Sequence, residues 1–420
     1  MLDIKLIRDN PDLVKAGLAK KGDKSDVGRI LELDQKRREI IRKTEALKAE
    51  RNKVSGEVAK KKKAGQDADD EIAAMRKVGD EIAQLDLRLS EVETDLHKAM
   101  TWLPNLPHES VPEGAEENKV VVREWGKIPK QKFTVKPHWD IGAELKILDL
   151  EASARISGSG FYVLRGLGSR LERALINFML DLHTADGFEE ITPPYLVNGA
   201  TMFGTGQLPK MAADMYETND EMWLIPTAEV PLTNIYREQI IENAALPISM
   251  VAYSACFRRE AGAAGKDTRG MIRVHQFDKV EMVKIVSPDE SYNVLEALVN
   301  QAEKVLQKLN LPYRVCILPA MDLSFAAAKC YDIELWAPGV AKWLEISSVS
   351  NFEDFQARRM NCRFRDTEGK VRNPHTLNGS GVALARLIPA ILENFQNEDG
   401  TVTVPEVLKS YMGGVGVIGK

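Results

Sequence analysis

Side chains that could bind an anion, a flat ring and an amine are concentrated in residues 250–285. Two stretches of alternating polar and apolar residues flank a Gly-rich, charged loop at residues 261–270, which predicts a pair of strands. Neighbouring strand residues point to opposite faces, so one face of the second strand should carry Arg273, His275, Phe277, Lys279 and Glu281. With Arg258 and Glu260 from the first strand, this set suits a nucleotide and an amino acid. A surface hairpin with solvated charges fits the same pattern.

Four segments resemble the seryl-tRNA synthetases, a family of class II aminoacyl-tRNA synthetases. FRREAGAAGKDTRGMIRVHQFDKVEM, at residues 257–282, is similar to the second class II signature motif in its seryl form. TAE at 227–229, EISSVSNFEDFQARR at 345–359, and TLNGSG at 376–381 followed by Arg386 resemble the same family in its order. With the N-terminal region, the resemblance spans essentially the whole chain.

The resemblance implies an ATP-dependent ligase. A serine carboxylate would attack the α-phosphorus of ATP, and the resulting seryl-adenylate would pass its serine to tRNA(Ser); use of tRNA(Sec) is left open. The transition state is crowded with negative charge, so positioned cations should supply most of the catalysis. By this analogy the catalytic residues are Arg258, on the α-phosphate and serine carboxylate, and Arg386, over the adenine ring opposite Phe277.

The implied nucleotide site also includes a metal ion. Its ATP-binding residues would be Arg258, Arg259, Glu260, Arg273, Val274, Phe277, Glu345, Ile346, Ser347, Ser348 and Arg386. Glu345 and Ser348 would hold Mg²⁺, which prefers oxygen ligands. The four cysteines form no CxxC pair and the six histidines no HxxxH pair, so no zinc site is expected.

The implied amino-acid site must read one hydroxyl group. A pocket whose polar groups are satisfied only by that hydroxyl rejects alanine and glycine. The serine-binding residues would be Thr227, Ala228, Glu229, Glu281, Asn378 and Ser380. The two glutamates are expected to meet the ammonium group, and Asn378 with Ser380 the hydroxyl. An isolated TAE or NGS tripeptide would more often be a turn or a cap.

The sequence departs from the family pattern beside Arg386. Ala385 stands where the family often has glycine, which reduces backbone freedom. Pro389 follows three residues after Arg386, so a helix should begin close to Arg386 or kink there. These departures leave the placement of Arg386 to be determined.

The N-terminal region has a heptad pattern in two halves, which predicts an antiparallel helical hairpin. The first seam is Ile30, Leu33, Arg37, Ile40, Thr44, Leu47, Arg51, Val54 and Val58. The second is Met75, Val78, Ile82, Leu85, Leu89, Val92, Leu96 and Ala99. Residues 24–63 contain 14 Lys and Arg against 7 Asp and Glu, whereas residues 64–100 contain 4 against 10. Mutual attraction explains part of this asymmetry, and an oligomerisation coiled coil would show the same seam.

The tip of this hairpin is basic. Its predicted tRNA-binding residues are Lys60, Lys61, Lys62 and Lys63, a run that suits phosphate contacts. Because the net charge of the chain is −5, any RNA site must be a local patch. A short helix is expected within residues 3–21, where Asn10 and Pro11 form a cap and first turn.

The predicted fold class is α+β: a long antiparallel coiled-coil arm, residues 1–100, followed by a class II catalytic domain, residues 101–420. Residues 170–183 read as an amphipathic helix. Residues 313–318, 331–336 and 343–350 should join the central hairpin in one mostly antiparallel sheet flanked by helices. GFEEITPPYLV resembles the first class II motif, in which Pro194 and the preceding helix belong to a homodimer interface. The sequence contains no GxGxxG motif, which counts against a Rossmann-type synthetase.

Two other functions remain open at this point. One is a related enzyme that transfers an activated amino acid to another carrier, although loss of the long arm would then be expected. The other is a non-catalytic RNA-binding or coiled-coil protein, although Arg258, Glu281, Glu345 and Arg386 are all present. The sequence has neither an apolar stretch near the ~20 residues of a membrane span nor a signal peptide, so a cytoplasmic location without membrane contact is expected.

Overall fold

The chain forms two compact units, Met1–Pro104 and Asn105–Lys420, in a computed structural model that describes residues 1–261 and 269–419. Most of the predicted Gly-rich loop, residues 262–268, lies outside the described residues. The first unit consists of helices α1 (Ile4–Asp9), α2 (Pro11–Lys20), α3 (Val27–Lys63) and α4 (Asp69–Thr101). The single helix expected before residue 21 is thus two helices. Pro11 opens the second, and the Asn10 side chain makes no capping hydrogen bond.

Helices α3 and α4 form the predicted antiparallel hairpin. The 37 residues of α3 span ~55 Å at ~1.5 Å per residue. Ion pairs join the basic helix to the acidic one, as between Arg37 and Glu93, 2.8 Å apart, and Lys48 and Asp86, 3.4 Å apart. The charge asymmetry therefore serves the pairing of the two helices at least in part.

The second unit mixes helices and strands. Its helices are α5 (His138–Glu144), α6 (Leu150–Ser157), α7 (Leu167–Ala185), α8 (Gly199–Gly204), α9 (Glu229–Asn234), α10 (Ser291–Leu309), α11 (Phe355–Arg359) and α12 (Leu384–Asn394). Its strands are β1 (Val120–Trp125), β2 (Glu189–Glu190), β3 (Leu196–Asn198), β4 (Tyr216–Glu217), β5 (Met222–Leu224), β6 (Ile240–Glu242), β7 (Ile248–Phe257), β8 (Gln276–Val286), β9 (Tyr313–Ile317), β10 (Lys329–Ala337), β11 (Lys342–Asn351), β12 (Arg363–Arg365), β13 (Val371–Arg372), β14 (His375–Ala383), β15 (Val402–Thr403) and β16 (Val417–Ile418). The predicted amphipathic helix is α7.

An eight-stranded sheet organises this unit, in the order β1-β9-β10-β11-β14-β8-β7-β2. Its pairs are antiparallel except β2 with β7, which confirms the predicted fold class. Helices α7, α10 and α12 pack against the sheet. On β8, Val280 and Met282 belong to the resulting core, so the alternating side chains of Lys279 and Glu281 point to the opposite face.

Two local expectations are settled by the strand and helix boundaries. β8 begins at Gln276, so Arg273 and His275 precede the strand on which they were expected. The backbone N–H of His275 instead donates to the carbonyl of Gly160, at 2.8 Å. Helix α12 begins two residues before Arg386, so Ala385 lies in ordinary helical backbone and Pro389 in the second turn.

The helices were also compared with the length and hydropathy that a membrane span requires. Among residues 1–261 and 269–419, none is long and apolar enough to cross a bilayer.

Candidate active site

A cavity of about 470 Å³ lies on the sheet face that carries Lys279. Six segments distant in the chain supply its walls: residues 205–215, the turn after β5, the ends of the β7–β8 hairpin, residues 324–326, β11 with the residue that follows it, and β14 with the start of α12. The predicted residues that line it are Thr227, Glu229, Arg258, Glu260, Arg273, Val274, Phe277, Glu345, Ile346, Ser347, Ser348, Asn378, Ser380 and Arg386.

Three predicted residues do not line the cavity directly. Glu281 is fully buried and reaches it through its hydrogen bonds with Asn378 and Ser380. Ala228 is buried in an apolar cluster beneath it. The exposed Arg259 side chain lies over the ring of Tyr216, 5.7 Å from the centroid. The four predicted tRNA-binding lysines belong to the first unit, where Lys61 pairs with Glu71 and the other three are exposed.

One end of the cavity is cationic and aromatic. The Arg258 guanidinium lies 5.2 Å from the centroid of the Phe277 ring. Arg273 donates from Nη1 to Glu260 Oε2 at 2.8 Å. Glu260 has a φ of +50°, a left-handed conformation that turns the chain away from the sheet just after Arg258. A planar ring with two guanidinium groups beside it can bind a base and its phosphates.

Arg386 completes this end from the first turn of α12. Its Nη1 donates to the backbone carbonyl of Glu345 at 2.5 Å, and its Nε to the carbonyl of Ile272 at 3.4 Å. The guanidinium is therefore held between β11 and the segment that leads into β8. The structure thus places Arg386 in the cavity wall despite Ala385 and Pro389.

Oxygen atoms suited to a divalent cation lie on β11. The Glu345 carboxylate is half exposed, and the Ser348 hydroxyl lies opposite Asp332 of β10. Burial, with the Glu345 charge adding to it, raises the pKa of Asp332 to about 8. The Arg386 guanidinium lies 3.5 Å from the Glu345 carboxylate. The hard oxygen donors Glu345 and Ser348 are of the kind that fits Mg²⁺. In the described part of the chain no group of three or more His, Cys, Asp or Glu could hold a metal ion.

The other end of the cavity is a buried network around two carboxylates. The Asn378 amide donates from Nδ2 to Glu229 Oε2 at 2.9 Å and to Glu281 Oε1 at 3.1 Å. The Ser380 hydroxyl donates to Glu281 Oε2 at 3.2 Å, and the Lys279 ammonium contacts the same oxygen at 2.5 Å. An amine with three donors and a neighbouring hydroxyl would find acceptors here.

The orientation of the Asn378 amide follows from this network. Both hydrogens of Nδ2 are directed to carboxylate oxygens, and a flipped amide would place Oδ1 against them. Oδ1 is consequently an acceptor, and it is buried without a hydrogen-bond partner among the described residues. A buried acceptor left unpaired is costly, so this atom favours a ligand that brings a donor.

Two residues of this network were not among the predicted site residues. Gln356 of α11 donates to Glu229 Oε1 at 2.7 Å and accepts from the Thr376 hydroxyl, also at 2.7 Å. Burial first, and then the Glu281 charge, raise the pKa of Glu229 to about 7, while Gln356 opposes the rise. Lys279 was predicted to share a strand face with Phe277 and Glu281, and that alternation was the available signal for it. Gln356 gave none, because its contact joins residues 127 positions apart.

Comparison with known proteins agrees with this geometry. Residues 1–107 match the family model for the seryl-tRNA synthetase N-terminal domain, and residues 213–395 match that for the class II core domain of tRNA synthetases (G, H, P, S and T). A serine–tRNA ligase from Bacillus pumilus is 56% identical over 418 residues, covering 98% of this chain and 99% of the relative. One from Carboxydothermus hydrogenoformans is 54% identical over 417 residues, covering 98% of each.

Solved structures give the same result for the fold. The seryl-tRNA synthetase from Pyrococcus horikoshii, crystallised with ATP, has a TM-score of 0.95 and 40% identity, covering 100% of this chain and 99% of the other. The cytoplasmic serine–tRNA ligase from Naegleria fowleri, solved with AMP, has a TM-score of 0.90 and 29% identity, covering 100% and 98%. With relatives of this identity along its whole length, the chain belongs to the seryl-tRNA synthetase family of class II aminoacyl-tRNA synthetases.

Proposed function

We propose that the cavity condenses serine with ATP to seryl-adenylate and that the protein then transfers serine to tRNA(Ser). The observation that carries the proposal is the joining, in one cavity, of a carboxylate network suited to an amino acid with three guanidinium groups and a ring suited to ATP. The related structures that contain ATP and AMP support the second half of this assignment.

The proposed chemistry needs orientation and charge rather than a protein nucleophile. Glu229 in the cavity wall and the buried Glu281 behind it attract the serine ammonium, and Arg258 draws the serine carboxylate and the α-phosphate together. A carboxylate oxygen attacks the α-phosphorus, a new O–P bond forms, and the bond to the bridging oxygen breaks to release pyrophosphate. Arg258 stabilises the added negative charge in the transition state, where a preorganised donor has its largest effect.

The rest of the cationic end grips the nucleotide. Phe277 and Arg386 hold the two faces of the adenine, with the Glu260 carboxylate and the backbone near Val274 at its edge. Arg273 exchanges its contact with Glu260 for the outer phosphates. Glu345 and Ser348 would hold Mg²⁺, which would neutralise part of the phosphate charge.

Serine is selected through its hydroxyl group. The Asn378 Oδ1 atom accepts a hydrogen bond from the serine hydroxyl group. The Ser380 hydroxyl, two residues further along β14, lies on the same face of the strand. Alanine and glycine would leave these atoms unpaired, which is the arrangement that discriminates most strongly. The backbone and hydroxyl of Thr227 close the pocket on the ammonium side, where the hydroxyl already accepts from the N–H of Glu229 at 3.2 Å.

The N-terminal domain, residues 1–100, is proposed to bind tRNA through its helical hairpin, and residues 101–420 to catalyse both steps. Lys60, Lys62 and Lys63 contact phosphates. Lys61 forms an ion pair with Glu71, so less of its charge is available to RNA. We further propose a homodimer through α7 and Pro194, on the strength of the resemblance alone, and a cytoplasmic location, where tRNA and ATP are available.

Serine-dependent exchange of pyrophosphate into ATP tests the proposal. Replacing residues 28–100 by a short linker should leave this exchange intact and abolish charging of tRNA(Ser). Absence of exchange in the full-length protein would rule out adenylation and favour the non-catalytic alternative. Exchange without charging of any tRNA would favour transfer to another carrier, and tRNA(Sec) assayed beside tRNA(Ser) defines which tRNAs are used. If the deletion changes the number of chains per particle in solution, an oligomerisation role for the hairpin is favoured.

A further inference from the structure

Three consecutive residues at the start of α5 contact the segment that leads into β8. His138 accepts from the backbone N–H of Met271 at Nε2, 3.2 Å away. The guanidinium of Arg269 lies 4.8 Å from the centroid of the Trp139 ring and 3.7 Å from Asp140 Oδ1. Because Arg269 and Asp140 are exposed, their ion pair contributes little to the free energy that holds the two segments together. The buried hydrogen bond between His138 and Met271 is the main contact.

His138 is in turn fixed by a fully buried carboxylate. Glu393 Oε1 accepts from both the backbone N–H and the Nδ1 of His138, each at 2.9 Å, and its Oε2 accepts from the N–H of Gly339 at 2.9 Å. Met271 can only donate to Nε2, so the imidazole proton must reside on Nδ1, facing Glu393. His138 and Glu393 both have no exposed surface. The tautomer and the ring orientation are therefore both determined.

Stability alone does not account for this arrangement. Replacing a buried polar pair by apolar side chains of similar size is often neutral or stabilising. Glu393 also lies in the last turn of α12, where the helix dipole disfavours a negative charge. What the pair achieves is a fixed distance between α12 and Met271.

The same helix meets the same segment at its other end. Arg386, in the first turn of α12, donates to the carbonyl of Ile272, the residue after Met271. The segment of residues 271–273 is thus held by α12 twice, directly through Arg386 and indirectly through Glu393 and His138. Arg273, the third residue of the segment, is one of the guanidinium groups of the cavity.

We propose that His138 and Glu393 are positioning residues for the nucleotide. They fix the position of residues 271–273 relative to α12, so that Arg273 and Arg386 can engage the same ATP. The inference rests on the proposed function. Gly270 adds an independent feature, because its φ is +80° and a Cβ atom there would lie 2.1 Å from His138 Nε2. Any larger residue at position 270 must displace the imidazole or the segment.

His138→Asn tests the positioning role, since its amide can donate to Glu393 but does not reach Met271. We expect the KM for ATP in serine-dependent exchange to rise about tenfold, the effect of leaving one buried N–H unpaired. The KM for serine should change less than about twofold. His138→Gln, whose amide oxygen extends as far as Nε2, should recover part of the loss. ATP binding measured by calorimetry should weaken in parallel with the KM for ATP.

Tyr313→Phe is the control, because it removes a partly buried hydrogen bond from Gln307, 2.8 Å long, on a strand that does not line the cavity. It should lower the melting temperature and leave both KM values unchanged. A His138→Asn enzyme with wild-type KM for ATP, or with both KM values raised equally, would overturn the inference.

If His138→Asn fails to fold, Gly270→Ala takes its place, with the same ATP-specific effect expected and an unchanged KM for ATP counting against the proposal. Absence of exchange in the unmodified protein would instead refute the proposed function. Calorimetry with ATP alone would still decide whether His138 positions the nucleotide.

Discussion

The buried carboxylate of Glu229 should make serine binding depend on pH near neutrality. Burial and the Glu281 charge raise its pKa from 4.5 to about 7, which corresponds to ~3 kcal/mol for keeping the group ionised in the protein. The serine ammonium requires the ionised form, so binding should strengthen as the pH rises through 7. Only about a tenth of the sites are ionised at pH 6 and about nine-tenths at pH 8. The KM for serine should consequently fall about tenfold between these values.

Glu229→Gln removes the titrating group at nearly constant volume. Loss of a charge-assisted hydrogen bond, ~1.5–3 kcal/mol, predicts a KM for serine about 10- to 100-fold higher at pH 8. The dependence of the serine KM on pH between 6 and 8 should vanish, because the amide that replaces the carboxyl group does not ionise. Serine-dependent pyrophosphate exchange, run from pH 6 to 8.5 at saturating ATP, gives these values directly. The KM for ATP of Glu229→Gln, compared with the unmodified enzyme at the same pH, is the internal control and should agree within about twofold.

Gln356→Met provides a second, independent perturbation. It removes the N–H that opposes the rise of the Glu229 pKa while keeping an unbranched side chain of similar length. The midpoint of the serine KM profile should therefore move above pH 7. A flat profile in the unmodified enzyme, or a slope that survives in Glu229→Gln, would refute the assignment of Glu229 as the counter-charge of the ammonium.

Three further predictions concern other parts of the protein. Arg258→Ala should lower kcat/KM for exchange by about 10²–10³, the effect of removing one preorganised donor, and near-normal exchange would remove Arg258 from the mechanism. Exchange should be strong with serine and weak with alanine, glycine and threonine, and equal rates with alanine would contradict hydroxyl reading by Asn378. Lys60→Ala, Lys62→Ala and Lys63→Ala together should flatten the salt dependence of tRNA binding by up to about one unit of slope per lost phosphate contact and leave exchange unchanged. Lys61→Ala is the control with the smaller expected effect, since Lys61 pairs with Glu71.

Local pattern was sufficient for the long helical hairpin and for one face of the site. Heptad spacing predicted α3 and α4, and alternation placed Phe277 and Glu281 on one side of β8, because both signals depend only on residues a few positions apart. The same signals failed at the start of β8, where the N–H groups of Met271 and His275 bond to His138 and Gly160 rather than continuing the strand. No local pattern reports such a competition between partners.

Contacts across the chain account for what sequence could not supply. Gln356 meets Glu229 over 127 positions, and His138 meets Glu393 over 255. Neither the type of these residues nor the sequence around them indicates the distant partner, which only the folded chain brings into contact. The contact of Glu281 with Ser380 likewise depended on the register of β8 with β14, whereas the place of Lys279 beside Glu281 follows from alternation along β8 itself.

The fixed amide of Asn378 also bears on the chemical ageing of the enzyme. Asn378 precedes Gly379, and an Asn-Gly pair is the dipeptide whose side chain most readily cyclises onto the next backbone nitrogen and deamidates. In the folded chain Gly379 is paired on both sides within the sheet, opposite Val349 and Met282, which keeps the backbone extended and opposes cyclisation. Time spent unfolded would release ammonia and leave a carboxylate, mostly as isoaspartate with its longer backbone and otherwise as aspartate. A refolded aspartate form would then carry a third carboxylate between Glu229 and Glu281. The serine pocket is thus a part of the protein in which a history of unfolding becomes a permanent loss of activity.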